Sequence, residues 1–324
     1  MANPVPSLVA VVVTYNRLAQ LKLTIGRLLA EPCAHVIIVD NCSGDGTREW
    51  LDEQTNSKLH VVPMDANCGG AGGFEAGMKL ARTAYDPDWI VVMDDDARPA
   101  PGALNRFLAR GFTDDAVAAA VYYPNGEICE MNRPSVNPFW NARAFVRTLF
   151  GGGRMGFHLA DTAYDGVDQQ IDAASFVGLF VSRRAMDLAG APDGRLFLYG
   201  DDVIYTLGLR RRGGTIAFAP DVRFEHDCST FNGTSRTYSP LWKVYYNYRN
   251  GLMMYRLAAG ILFWPALLIL LPKWVWNGRR YGADRARYYA YLRVAVRHGL
   301  MQQTELSHEK LLRIVLGKTS GEPQ

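Results

Sequence analysis

Neither sign of charge dominates this chain. Its 35 Lys and Arg stand against 32 Asp and Glu, a formal net charge of +3 over 324 residues. So small an excess lacks the basic stripe that nucleic acid demands, and no nucleic-acid partner is expected. Cysteine is sparse and poorly arranged for bridging. Cys33, Cys42, Cys68, Cys129 and Cys228 are odd in number and form no CxxC pair. Reduced thiols in a cytoplasmic compartment are therefore expected, not a disulfide frame. No long apolar run opens the chain. Leu8–Val13 is too short for a signal-peptide core, follows no basic segment and ends in polar Thr14-Tyr15-Asn16-Arg17. Without a leader, the N-glycosylation patterns Asn41-Cys42-Ser43 and Asn232-Gly233-Thr234 carry little weight. Internal repeats and low-complexity tracts are also missing, which argues against solenoids and disordered tails. A composition of 48% hydrophobic and 21% charged residues is that of a folded chain, long enough for a large α/β domain with an appendage.

Strand-like and helix-like patterns alternate through the first third. Leu8–Val13, His35–Val39, Lys58–Pro63 and Trp89–Met93 read as strands, the first two apolar enough to be buried on both faces. Leu18, Leu21, Ile25, Leu28 and Leu29 fall at helical spacing, and a helix is predicted from about Phe74 to Tyr85 after the glycines Gly69–Gly73. Such alternation predicts βαβ units and a mostly parallel, Rossmann-like sheet, with a ligand crevice at the strands' carboxyl ends. Those ends carry Thr14-Tyr15-Asn16, Asp40-Asn41, Asn67 with the glycines, and Asp94-Asp95-Asp96. From about Val117 the pattern turns irregular, and Asn125–Gly156 reads as a long functional loop. Further on, Gln170–Val181 holds a strand-like stretch, and Gly200-Asp201-Asp202 opens a helix that stops at Gly213. Thr215–Phe218 and Val222–Phe224 read as two short strands, followed by His226.

Each motif has a plain reading beside a chemical one. Three adjacent carboxylates repel, and a hard divalent cation relieves the repulsion. On an extended chain Asp94 and Asp96 point the same way, so Asp96 could bind Mg2+ or Mn2+ while Asp94 accepts from a ribose. The plain alternative is a solvated acidic turn. The glycine cluster offers backbone N–H donors to an anion, or is only a flexible loop. It is not the dinucleotide fingerprint, whose last position is here Glu75 and which belongs after a first strand. Asp40-Asn41 is a helix cap or Asx turn, or an acceptor for a pyrimidine N3–H. Asp201 and Asp202 either cap a helix or supply a general base to an attacking hydroxyl. His226 gains interest only beside the Asp triplet, where a neutral imidazole could complete a Mn2+ shell.

Together these residues resemble the inverting nucleotide-sugar glycosyltransferases of family 2 type, with the GT-A fold. The resemblance runs from about Ser7 to Asn250. Its elements are Thr14-Tyr15-Asn16-Arg17, Val39–Thr47, Asn67–Phe74, Met93–Asp96, Leu198–Asp202 and Tyr246–Asn250. The doubled glycine pairs before Phe74 and the triple Asp look most like the bacterial galactofuranosyltransferases, with rhamnosyltransferases next. The resemblance implies donor contacts from Thr14, Tyr15, Arg17, Asp40, Asn67, Gly69, Gly70, Asp94 and Asp95. It implies metal ligation by Asp96 and His226, Asp202 as base with Asp201 beside it, and Arg249 on the diphosphate. It further implies Mn2+ or Mg2+ as cofactor, a UDP-sugar rather than a dTDP-sugar as donor, and a glycan or polyprenyl-linked glycan as acceptor. Leu198-Tyr199-Gly200 departs from the aromatic-rich acceptor motif of some relatives.

The C-terminal third differs in character. Leu257–Pro272 is almost wholly apolar but shorter than a bilayer span, and holds Pro265. Trp264, Trp274, Trp276, Lys273, Arg279 and Arg280 resemble interfacial anchors. Arg279, Arg280, Arg285, Arg287, Arg293 and Arg297 belong either to an amphipathic helix pair packed on the protein or to a surface for anionic lipid. The expected layout is a catalytic domain over residues 1–240 and a helical region over 241–324, peripheral at the inner face of the cell membrane. A nucleotidylyltransferase would show a basic Gly-rich loop soon after the first strand, and Thr14–Arg17 stands there instead. A non-catalytic glycan-binding module would not need Asp94, Asp96, Asp202 and His226 together.

Overall fold

The computed structural model describes residues 5–228 and 237–316. The Asn232 glycosylation pattern lies outside the described residues. The chain divides into two compact units: Met1–Gly194 with Asp201–Ser229, and Arg195–Gly200 with Thr230–Gln324.

The first unit is built on one sheet. Its strands are β1 (Leu8–Thr14), β2 (His35–Asp40), β3 (Leu59–Pro63), β4 (Trp89–Asp94), β5 (Ala97–Pro99), β6 (Ala116–Tyr122), β7 (Gln169–Gln170), β8 (Leu179–Ser182) and β9 (Ile216–His226). Their order is β3-β2-β1-β4-β8-β6-β9-β5, with β7 on β9. Helices α1 (Leu18–Leu29), α2 (Thr47–Asp52), α3 (Gly69–Leu80), α4 (Ala103–Arg110), α5 (Ala142–Arg147), α6 (Arg183–Ala189) and α7 (Asp201–Arg211) complete it. β1 alternates strictly between two apolar cores. Leu8, Ala10 and Val12 join one, and Val9, Val11 and Val13 the other. Each fully buried aliphatic side chain of this kind contributes roughly 1.5–3 kcal/mol.

The expected mostly parallel sheet holds for β3-β2-β1-β4, which are parallel throughout. From β8 the sheet is mixed: β8 runs antiparallel to both β4 and β6, β5 and β7 antiparallel to β9, and β6 parallel to β9. Three local expectations change. β6 begins at Ala116 where the pattern turned irregular, because its Ala-rich sequence hides strand character behind low β propensity. The two short strands before His226 are one strand. Pairing with β6 jumps from Ala119↔Ala219 to Ala120↔Arg223, so Pro220–Val222 bulge out between them. The glycine cluster is not a loop, since α3 starts at Gly69. A Cβ on Gly73 would sit 2.4 Å from Val13 Cγ1, and one on Gly77 equally close to Val11 Cγ1. Spaced four apart on one helical face, these glycines let α3 lie directly on β1.

The second unit is helical: α8 (Lys243–Ala259), α9 (Phe263–Asn277), α10 (Arg285–Leu300) and α11 (His308–Leu316). The long apolar run is interrupted at Gly260, whose φ of 56° ends α8. Tyrosines join the helices. Tyr288 Oη donates to Trp274 O at 2.6 Å and lies 2.9 Å from Tyr248 Oη, and Tyr245 Oη meets His298 Nδ1 at 2.8 Å. Gly299 brings α10 against α8, where an added Cβ would lie 2.9 Å from Arg249 O.

Candidate active site

The carboxyl ends of β1, β4 and β9 gather one polar cluster. Thr14 closes β1, Asp94 closes β4, Asp95 and Asp96 form the turn into β5, and His226 ends β9. Pairing of β5 with β9 sets Ala97 opposite His226 and so brings Asp96 beside the histidine. Asp95 faces away from open space and holds the strand ends together. Its Oδ2 accepts from Thr14 Oγ1 at 2.8 Å and from the Tyr15 N–H at 3.3 Å, while its carbonyl accepts from Thr24 Oγ1 at 2.7 Å. Asp96 accepts from Arg17 through Oδ2 and lies 3.2 Å from His226 Nε2 through Oδ1.

Electrostatics single out this cluster. Burial, then the charge of Asp96, pushes the Asp94 carboxyl up to about 6. Burial raises Asp95 to about 7 against the Thr14 hydrogen bond. Burial would raise Asp96 as well, but His226 and Arg17 outweigh it and hold Asp96 below its ordinary value. Burial would lower His226, yet its bonds to Asp96 and Cys129 and the charge of Asp94 carry it up to about 10. Three carboxylates thus share Arg17 and a histidine, and the surplus is negative. One ligand atom from each of Asp94, Asp96 and His226 falls within 4.8 Å of the others. Two hard oxygens and an imidazole nitrogen, short of positive charge, suit Mn2+ or Mg2+. Asp94, which the sequence placed on a ribose, lies within reach of the other two.

Asp201 and Asp202 open α7, both half-buried. Burial pushes Asp202 up to about 6, against hydrogen bonding from the Val203 N–H at 2.7 Å. Burial and the neighbouring Asp202 raise Asp201 well above its ordinary value. Both carboxyls are thus raised, and each feels the charge of Asp94 or is felt by it.

The other expected donor contacts have more local partners. Asp40 is fully buried, and its oxygens accept from the Ser43 N–H at 3.0 Å and Arg48 Nε at 2.6 Å. The first bond braces the turn three residues on, and Arg48 is a cation the sequence did not single out. Asn67 accepts from the Gly69 N–H at 2.8 Å, an Asx turn that leads into α3. A Cβ on Gly70 would meet nothing within 4 Å, so the helix start is open there. Asn41 braces the same corner, accepting from the Cys68 N–H and donating to Gly69 O, each at 2.8 Å.

Arg249 requires a correction. It is fully buried in the helical unit, donating to Arg195 O at 3.1 Å, Leu196 O at 2.8 Å and Asn250 Oδ1 at 2.8 Å, with Tyr245 and Tyr246 rings 5.1 Å away. Its donors are committed to protein, so it cannot grip a diphosphate without unmaking that packing. Asn250 donates to the carbonyls of Leu196, Leu198 and Tyr199 at 2.8–3.0 Å. The two residues hold a segment strained by positive φ at Phe197 and Tyr199, which runs in the chain into Asp201. The sequence also gave no hint of Asn132, inside the long irregular stretch. It lies 2.7 Å from His226 Nδ1, and neither periodicity nor motif spacing marks it.

Comparison with known proteins places this geometry. The profile of the family "Glycosyl transferase family 2" matches residues 9–164. A galactofuranosyltransferase of Mycolicibacterium smegmatis is 30% identical over 277 residues, 82% of this chain and 85% of that protein. A mannosyltransferase from Pyrobaculum calidifontis, solved in complex with GDP-Man and Mn2+, superimposes with a TM-score of 0.53 at 15% identity, over 92% of this chain and 88% of that one. S. aureus TarS in complex with UDP gives 0.52 at 13% identity, over 92% and 89%. At such identity the two structures speak for the fold alone. With the relative matched along most of both chains, this protein belongs to glycosyltransferase family 2, an enzyme of the GT-A fold that transfers a sugar.

Proposed function

We propose that this enzyme transfers galactofuranose from UDP-galactofuranose, with inversion at the anomeric carbon, to a hydroxyl of a lipid-linked or cell-surface glycan. The observation that carries this reading is the grouping of Asp94, Asp96 and His226 within mutual reach, in electrostatic contact with Asp202. The similarity to a galactofuranosyltransferase along 82% of the chain supports the choice of sugar.

Asp94, Asp96 and His226 would hold a divalent cation, which when bound supplies positive charge for the departing nucleoside diphosphate. The chain's own residues do the rest. The backbone at the open start of α3, from Gly70 onward, and the Arg17 guanidinium face the donor's anionic groups. Thr14, Tyr15 and Asn67 frame the nucleoside, with Asp40 acting through Arg48. Asp202, ionised at neutral pH, accepts the acceptor's hydroxyl proton as its oxygen attacks C1. One base and one displacement invert the centre. Residues 1–240 form the catalytic part in this reading, and residues 241–324 meet the inner face of the cell membrane.

Calorimetric titration of the full chain with UDP and with dTDP, each with and without Mn2+, tests the donor. UDP binding that requires Mn2+, with dTDP at least tenfold weaker, is expected. A preference for dTDP would replace galactofuranose by rhamnose, and metal-independent binding would remove the cation from the proposal.

A further inference from the structure

His226 shows its two nitrogens to different neighbours. Nε2 lies 3.2 Å from Asp96 Oδ1, on the side of the carboxylates, and Nδ1 lies 2.7 Å from Asn132 Oδ1. A neutral imidazole carries a single proton, so one nitrogen can ligate only while the other keeps its hydrogen. The surroundings of Asn132 decide which. Its Nδ2 donates to Ser175 Oγ at 2.8 Å, which turns Oδ1 toward the histidine. The Cys129 thiol, 3.0 Å from the same Oδ1, is a second donor that wants an acceptor there. The Asn132 N–H bonds Cys129 O at 3.0 Å within the short turn Glu130–Asn132, fixing the backbone. The side chain is 6% exposed, so water does not stand in for it.

We propose that Asn132 is a positioning residue that keeps the His226 proton on Nδ1 and so aims the Nε2 lone pair at the divalent cation beside Asp94 and Asp96. The inference rests on the reading of those three residues as the cation's ligands. An acceptor that holds the far nitrogen of a ligating imidazole sets ring orientation and basicity, and its loss lowers metal affinity about 10–100-fold. A competing use of the same nitrogen is also built in. Ligand atoms of Cys129, His226 and Cys228 fall within 4.8 Å of one another, so a thiophilic cation could take Nδ1 if it were free of its proton.

The test titrates Mn2+ into the full chain and follows free Mn2+ by electron paramagnetic resonance. Asn132→Leu keeps the side chain's shape and removes the acceptor, and should weaken Mn2+ binding about 10–100-fold. Asn132→Asp keeps an acceptor and should restore most of the affinity, which covers the case of a leucine variant that fails to fold. In a His226→Ala background Asn132→Leu should cost nothing further. Wild-type Mn2+ affinity in Asn132→Leu would overturn the proposal, as would a loss that persists undiminished in the His226→Ala background. So would a thiolate-to-metal charge-transfer band when the wild type takes up Co2+, since Nδ1 would then be a ligand. If His226→Ala alone leaves Mn2+ affinity unchanged, the ligand assignment falls first and this inference with it.

Discussion

The two compact units both bury charge, and they put it to opposite uses. In the α/β unit, Asp95, Asp96 and His226 lie almost out of water with Asp94 half-buried beside them, and burial drives Asp94 and Asp95 upward toward neutrality. In the helical unit, Arg249 is more deeply buried than any of them, yet backbone carbonyls, Asn250 and the Tyr245 hydroxyl take its hydrogens. Burial therefore does not distinguish a working charge from a structural one. The distinction is whether the protein itself completes the group's partners. Where completion falls short, something that binds must supply it.

The comparison breaks most visibly at Asp202. Asp202→Asn removes the base while leaving the shape of the α7 start, so turnover should fall about 10²–10⁴-fold with Mn2+ and UDP binding kept. Burial holds the Asp202 carboxyl near 6, above its ordinary value. The proton-accepting form is then lost as pH falls through that value, and wild-type kcat should show an acid limb near pH 6 and a plateau above it. The group's folded value is raised, so its ionisation at neutral pH costs stability, and Asp202→Asn should melt no lower than wild type at pH 7.5. Wild-type turnover in that variant would take Asp202 out of the reaction.

Arg249 should behave in the reverse way. Arg249→Met takes the guanidinium donors from Arg195 O and from Asn250 Oδ1, while Leu196 O keeps Asn250 and the Leu198 N–H, a loss of about 1–3 kcal/mol for groups of this kind. The urea midpoint should drop with little change in slope, while Mn2+ and UDP affinities of the folded protein stay where they were. A variant of unchanged stability and much weaker UDP binding would reverse this outcome and return Arg249 to the diphosphate.

This contrast also explains what could be read in the sequence. Strands β1, β2 and β4 are legible because each is an apolar run ended by polar residues, which is how a strand buried on both faces and stopping at a crevice must look. The Asp triplet is legible because so much like charge has few structural uses. β6 is not, since Ala116–Tyr122 is rich in alanine and takes its strand form from its neighbours. The helical start at Gly69 is not, because its glycines answer to the methyl groups of Val11 and Val13, contacts that exist only once α3 lies on β1. Arg249 was misread for the same reason. A run of Tyr, Asn and Arg looks like a ligand site until its carbonyl partners, some fifty residues earlier, are in place. Asn132 acts through His226, 94 residues away, so only the folded chain reveals it.

A smaller effect should appear at α9, where the helical unit itself leaves something incomplete. Phe263, Leu267 and Trp274 are buried, but Trp264, Leu268, Ile269 and Trp276 face outward, with Leu268 77% exposed. The run Lys243–Leu300 is apolar enough to cross a membrane by length and composition. Its break at Gly260 and the Arg279 guanidinium 3.6 Å from the Trp276 ring instead favour a surface that lies in the headgroup layer. The apolar side chains would enter the lipid while the arginines stay with anionic phosphates. Replacing both Leu268 and Ile269 by Glu should then lower sedimentation with phosphatidylglycerol vesicles roughly tenfold or more, since burying each apolar side chain is worth about 1.5–3 kcal/mol. Melting temperature and turnover on a water-soluble acceptor should not move, because neither side chain is buried in the protein. If the wild type ignores vesicles and the double variant instead splits a dimer, the outward face of α9 is covered by a second copy of the chain, and its incompleteness is answered by protein after all.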